Sequence, residues 1–242
     1  MPAKEMSIQD MDVVILCGGA GTRLRSVVQD RPKPMAEIAG RPFLALLVEY
    51  VSHHGFRRFI FCTGYKGDWI ERYYEKEEGR LCCLFSREEV PLGTAGAIKK
   101  AESLIRSETF LVLNGDSWCE VDLEEFVRFH RVKGAVLSMV SASVESSSGY
   151  GMIELDNDQS VLRFGEKTNK PGKTLINAGI YLFQKEVLRE IPEGRKWSLE
   201  YDLFPGRVKR GFYGFVTEQR LLDLGTPERL EAVQAYFERR EG

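Results

Sequence analysis

The segment Cys17-Gly18-Gly19-Ala20-Gly21-Thr22-Arg23-Leu24-Arg25 constrains this chain more than any other. It follows the apolar run Val13-Val14-Ile15-Leu16, which predicts a buried strand. Glycines at 18, 19 and 21 let the backbone pass close to a ligand and aim its N–H groups at it. A loop of this kind at the carboxyl end of a first strand is where α/β folds bind nucleotides. Arg23, with Lys33 from Pro32-Lys33-Pro34-Met35, adds two cations suited to a polyphosphate. The prolines are expected to hold Lys33 in extended chain, so that it can be aimed. Two familiar glycine motifs do not fit. A dinucleotide fingerprint needs a glycine where Leu24 stands, and a P-loop needs Gly-Lys-Ser/Thr where Gly21-Thr22-Arg23 stands. No acidic residue closes a second strand at the spacing an NAD-binding oxidoreductase requires.

Bulk properties narrow the partners. The 242 residues carry a formal net charge of −2, so no global basic field points to nucleic acid. No run approaches the roughly 20 apolar residues of a membrane span. Met1 to Met6 has no signal-peptide core, so a cytoplasmic protein is expected. The five cysteines, Cys17, Cys62, Cys82, Cys83 and Cys119, lack metal-ligand spacing and read as buried free thiols. With only His53, His54 and His130 besides, zinc is not expected.

Strand-like and helix-like segments alternate, which predicts an α/β fold with a mixed, mostly parallel sheet in three layers. Strands are expected over 13–16, 58–63, 81–85, 110–113 and 135–144. Helices are expected over 43–53 behind Pro42, 68–77, 94–105, and 123–132 capped by Asp122. After the loop at 146–149 come strands at 152–155, 161–164, 175–183 and 212–216. Helical pieces are expected at 185–190, 199–204 and, behind Pro227, 227–239. One domain over 12–240 is expected, with 12–145 for nucleotide, 146–240 for acceptor, and 1–11 as a loose tail.

Gly-Gly-x-Gly-Thr-Arg-Leu followed by Pro-Lys-Pro resembles the sugar-1-phosphate nucleotidylyltransferases, from about Met11 to about Tyr236. These enzymes join a nucleoside triphosphate to a sugar 1-phosphate and release pyrophosphate. The added C-terminal domain that many relatives carry is not expected in a chain of this length. The resemblance implies Arg23 on the triphosphate and Lys33 at the α-phosphate, with Cys17, Gly18, Gly19, Gly21 and Thr22 around the nucleotide. Asp116, in Leu113-Asn114-Gly115-Asp116, matches one metal aspartate, and Asp223, in Leu222-Asp223-Leu224-Gly225, matches the other; together they would clamp one Mg²⁺. Lys167, after Glu166, resembles the cation on the acceptor's phosphate. Asn177-Ala178-Gly179 resembles the strand lining the sugar pocket, with Asn177 on sugar hydroxyls. Tyr150-Gly151, Glu154 and Ser198-Leu199-Glu200 lie where relatives reach the sugar. Arg23, Lys33, Asp116 and Lys167 are the implied catalytic set.

Glu88-Glu89-Val90-Pro91-Leu92-Gly93-Thr94-Ala95-Gly96 resembles the family's base loop. Gly93 to Gly96 would let a flat base lie on the backbone, beside the positive end of a helix. Guanine offers two adjacent donors, which a carboxylate at Glu88 can accept. The expectation is therefore GTP. Arg25-Ser26-Val27-Val28-Gln29-Asp30 and the stretch 164–169 look like the D-glycero-α-D-manno-heptose 1-phosphate guanylyltransferases. Mannose 1-phosphate, a uridylyl- or thymidylyltransferase, and a non-catalytic nucleotide-sugar-binding regulatory subunit stay open, as does a homo-oligomer. Arg23, Lys33, Asp116 and Asp223 are all retained, which argues against the last class.

Overall fold

Val13 and Ile15 face one core and Val14 the other, so the first strand is buried on both sides. The computed structural model describes residues 7–24, 27–76, 81–145, 151–165 and 173–241. β1 (Asp12–Leu16) is followed by β2 (Glu37–Ile38), β3 (Arg41–Pro42), α1 (Phe43–His53), β4 (Arg58–Thr63), α2 (Asp68–Glu75) and β5 (Cys82–Arg87). Then come α3 (Gly93–Lys100), β6 (Thr109–Asn114), β7 (Ser117–Cys119), α4 (Leu123–Val132) and β8 (Leu137–Val144). β9 (Met152–Leu155), β10 (Val161–Gly165), β11 (Thr174–Gln184), α5 (Phe204–Arg207), β12 (Phe212–Thr217), β13 (Leu221–Asp223) and α6 (Pro227–Glu241) complete the chain.

The described strands form a nine-stranded sheet in the order β10-β9-β11-β6-β1-β4-β5, with β8 on β11 and β12 on β8. β5, β4, β1 and β6 run parallel, and β12 runs parallel to β8. β11 is antiparallel to β6, β8 and β9. Phe59, Phe61, Leu111 and Leu113 pack one sheet face against α1, α2, α4 and α6. Ile60, Phe110 and Val112 pack the other against α3, α5 and the turn at 185–190. These are the three layers expected of the α/β class.

Several elements differ from the expected ones. Part of the supposed tail belongs to the fold: Ile8–Asp10 is a 3-10 turn capped by Ser7, and Met11 is buried. The helix expected over 94–105 stops at Lys100, and Glu102–Leu104 forms a separate turn. β2, β3, β7 and β13 are too short to show a period of two. Cys82 is exposed and Cys83 half-buried, because β5 is an edge strand.

Candidate active site

The parallel strands β1, β4 and β6 end side by side, with Leu16 opposite both Cys62 and Asn114. A cleft of about 920 Å³ opens above those ends. Cys17 turns the chain over its floor, its N–H on the Cys62 carbonyl at 2.9 Å. Burial pushes the Cys17 thiol well up, and Cys62 and Asp116 add to it, so it stays neutral. A Cβ on Gly18 would stand 2.5 Å from Glu88 Oε1, so any side chain there must displace the Glu88 carboxylate. Gly21 has a φ of +57°, and its Cβ would be 3.0 Å from that of Lys33. A Cβ on Gly19 would meet nothing within 4 Å, so that edge of the loop faces open cleft. The Thr22–Leu24 turn carries Arg23, exposed on the rim and without a hydrogen bond or ion pair among the described residues. The Thr22 side chain, Arg25 and Ser26 lie outside the described residues.

Lys33 does not sit in extended chain. It opens a 3-10 turn, Lys33–Met35, behind an extended Pro32, and burial of Pro34 and Met35 anchors that turn. Lys33 Nζ reaches Asp116 Oδ2 at 2.5 Å. Asp116 follows β6 through Gly115, whose Cβ would lie 2.8 Å from the Leu16 carbonyl. Asp223 arrives by the short ladder of β13 on β7, in which it pairs with Ser117. The Leu224 N–H on the Asp116 carbonyl at 3.0 Å completes the link. Two aspartates far apart in sequence are thus brought together along the backbone. Asp223 Oδ1 accepts the Gly225 N–H at 2.5 Å, and Oδ2 meets Arg229 Nη1 at 2.8 Å. Among the described residues no three acidic, His or Cys side chains group as a metal cage. Asp116 lines the cleft, whereas Asp223 is buried beside Gly225 at its edge; two hard carboxylates of this kind suit Mg²⁺, which keeps waters and substrate phosphates as its other ligands.

Glu88 lies in the cleft and is half-buried, not turned to solvent. Its Oε2 accepts the Leu92 N–H at 3.0 Å, and its Oε1 lies against Gly18 and Gly64. Burial raises its carboxyl above the usual range, against the opposing Leu92 hydrogen bond and Lys100. Gly93 and Thr94 also line the cleft. The small residues of this loop have a structural reason, however. A Cβ on Gly93 would stand 2.6 Å from the Trp197 carbonyl, and one on Gly96 2.6 Å from that of Arg195. The first-turn N–H groups of Ala95 and Gly96 donate to the Trp197 carbonyl, at 2.9 and 3.1 Å. That carbonyl takes up two of the donors at the helix end expected to lie beside the base. Thr94 Oγ1 likewise accepts the Leu199 N–H at 2.8 Å.

The acceptor-side residues form a second cluster. β11 carries an irregularity between Asn177 and Tyr181, with Gly179 at a φ of +75°. A Cβ on Gly179 would be 2.6 Å from Asn114 Nδ2, so the bulge presses on the end of β6. Asn177 is buried, and its side chain is turned inward. Its Oδ1 accepts the Gly179 N–H, and its Nδ2 donates to the Tyr181 hydroxyl and to Glu200 Oε1, each at 2.9 Å. Both Nδ2 hydrogens are thereby taken, and the second lone pair of Oδ1 is left to accept from a sugar hydroxyl. Gly151 joins this cluster through its carbonyl on the Asn177 N–H at 3.2 Å. Ser198 caps the π-turn Leu199–Leu203, and Glu154 is exposed on β9. Tyr150, Glu166 and Lys167 lie outside the described residues. Sequence reasoning missed Lys196, a cation lining the cleft, and gave no role to Arg229. Arg229 did leave a signal, a cation in the first turn of a helix.

Comparisons with known proteins show the family. A family model described as nucleotidyl transferase matches residues 12–240. The mannose-1-phosphate guanylyltransferase of Mycobacterium tuberculosis is 36% identical over 92% of this chain, which spans 63% of that enzyme. The D-glycero-alpha-D-manno-heptose 1-phosphate guanylyltransferase of Campylobacter jejuni is 34% identical over 90% of this chain and 96% of its own length. The crystal structure of HddC from Yersinia pseudotuberculosis, complexed with GMP-PN, superposes with a TM-score of 0.82 at 36% identity, covering 94% of this chain and 99% of that one.

Proposed function

The chain belongs to the nucleotidyl transferase family, and from that premise we propose that it transfers GMP from GTP to D-glycero-α-D-manno-heptose 1-phosphate, giving GDP-heptose and pyrophosphate. The observation that carries this reading is the convergence of the glycine loop, Arg23, Lys33 and Asp116 on one cleft. The acceptor's phosphate oxygen attacks the α-phosphorus of GTP. One P–O bond forms there, and the bond to the leaving pyrophosphate breaks. The attacking oxygen is already ionised, so positioning and charge neutralisation carry the rate rather than a general base. Arg23 on the open rim would hold the departing phosphates, and Lys33 the α-phosphate. The glycine loop would offer N–H groups where no Cβ stands in the way, as at Gly19.

Members of this family generally use a divalent metal. We assign Mg²⁺ to Asp116 and Asp223, where it would neutralise charge between triphosphate and sugar phosphate. We assign the base to Glu88, whose half-buried carboxylate keeps lone pairs beyond the one given to Leu92. Residues 12–145 would serve the nucleotide and 146–240 the acceptor, with Gly151, Asn177 and Gly179 on the sugar side. Lys167 would meet the acceptor's phosphate. The reaction is placed in the cytoplasm, where buried thiols such as Cys17 stay reduced. Mannose 1-phosphate is the second acceptor to test, favoured by the similarity to the mycobacterial enzyme.

The test is pyrophosphate release with Mg²⁺, each of GTP, UTP, dTTP and CTP, and a panel of sugar 1-phosphates. Release with GTP and the manno-heptose phosphate alone is expected. Release with UTP or dTTP instead would remove the base assignment, and release with mannose 1-phosphate alone would move the acceptor.

A further inference from the structure

Arg229 breaks a local rule. It stands in the first turn of α6, where the partial positive charge of the helix end disfavours a cation. Its own N–H takes the Thr226 hydroxyl at 3.4 Å, so the turn is capped normally and the cation adds nothing to the cap. The side chain instead folds back over Gly225. A Cβ on Gly225 would stand 3.2 Å from Arg229 Nη1 and 2.5 Å from Asp223 Oδ1. Arg229 Nη1 meets Asp223 Oδ2 at 2.8 Å while the Gly225 N–H holds Oδ1, so both oxygens of an aspartate only 8% exposed are fixed. Across the site Lys33 holds Asp116 at 2.5 Å. Each of the two carboxylates therefore carries a protein cation, and their formal charges cancel.

We propose that Arg229 is a positioning residue for the metal site. It fixes Asp223 and, together with Lys33, cancels the charge of the aspartate pair, so that the chain takes up a divalent cation only together with a triphosphate. This rests on the assignment of Asp116 and Asp223 as metal ligands. A pair of uncompensated carboxylates would attract a free dication; a neutralised pair offers it little. A triphosphate supplies the missing negative charge and gives Lys33 another anion to hold, which releases Asp116. Arg229 is tethered to its helix and stays on Asp223. A carboxylate partner of this kind shifts metal affinity without touching the metal.

Mn²⁺ serves as the probe, its binding followed by electron paramagnetic resonance on the intact protein. The nucleotide-free wild type should bind Mn²⁺ weakly, and GTP should bring bound Mn²⁺ with it. R229M should raise the affinity for free Mn²⁺ by about tenfold or more, and R229K should return it to the wild-type value. K33M lies on a separate element and should raise free Mn²⁺ affinity as well, which keeps the test usable if R229M folds poorly. Tight Mn²⁺ binding by the nucleotide-free wild type would overturn the proposal, as would variants that bind free Mn²⁺ no better than wild type. D223N separates the two layers: unchanged Mn²⁺ uptake with GTP in that variant would remove the metal assignment itself, and the proposal with it.

Discussion

Gly18 and Glu88 share one space: a Cβ on the glycine would stand 2.5 Å from Oε1 of the glutamate. The first glycine of the phosphate loop and the residue assigned to the base are therefore packed as one unit. Glu88 cannot simply swing aside, because its other oxygen holds the Leu92 N–H at 3.0 Å. Gly18→Ala should push the carboxylate off that bond, costing about 1–3 kcal/mol of stability and weakening GTP binding. The Gly18→Ala/Glu88→Ala double variant should recover part of the stability, because the clash is gone. Thermal midpoints and a double-mutant cycle check this, and additive losses would mean the two residues do not interact.

Glu88→Gln should relax the preference for guanine, since an amide can accept only one of the two donors that a carboxylate accepts. The same residue gives a pH signature. Burial raises its folded pKa, so the charged form is the disfavoured one and protonation sets in above the usual carboxylate range. Selectivity for GTP over UTP should therefore fall with acid earlier than an ordinary Glu would allow, and the fall should vanish in Glu88→Gln. A selectivity ratio that is flat with pH in the wild type would remove Glu88 as the discriminator.

The nucleotide side of the site was readable because its residues lie in two short runs. Cys17 to Arg23 and Pro32 to Met35 carry their meaning locally, and the strand before them shows a clear apolar block. Asp122 to Val132 was readable for the same reason: the cap and the helix are adjacent, and the Asp122 carboxylate takes the N–H groups of Glu124 and Glu125. What stayed hidden depends on contacts between distant segments. The β7–β13 ladder brings Asp223 to Asp116, yet neither strand is long enough to show a period. Gly93 and Gly96 looked like room for a base, while the Arg195 to Trp197 backbone packs against both. The contacts of Asn177 with Gly179, Tyr181 and Glu200 depend on the bulge in β11, which no local pattern announces.

Lys33→Ala should lower kcat by about 10²–10³ with little change in thermal midpoint. The lysine is tied to Asp116 and to no core group, so its loss leaves the packing of Pro34 and Met35 in place. Lys33→Arg should rescue poorly, because a planar guanidinium does not reproduce the compact point charge that Nζ places on Asp116. Steady-state kinetics on both variants check this. Near-normal turnover in Lys33→Ala would take the α-phosphate role away from Lys33.

His130 supplies a prediction independent of the active site. It is buried under the sheet, with Nδ1 2.8 Å from Ser138 Oγ and Nε2 3.2 Å from Gln184 Nε2. The Gln184 amide donates to Nε2, which requires a neutral ring with its proton on Nδ1, directed at Ser138. Burial pulls its pKa down to about 4. In the unfolded chain it returns to about 6.5. Between those values the unfolded state binds more protons, so stability falls as pH drops from about 6.5 toward 4 and is fully present above that window. The slope from this one group is about 1.4 kcal/mol per pH unit inside the window. His130→Gln cannot take up a proton, so its urea midpoint should be flatter than that of the wild type between pH 6.5 and 4.5. Any residual slope belongs to other groups and is common to both proteins. Parallel curves for the two proteins would show that His130 is not the group that titrates.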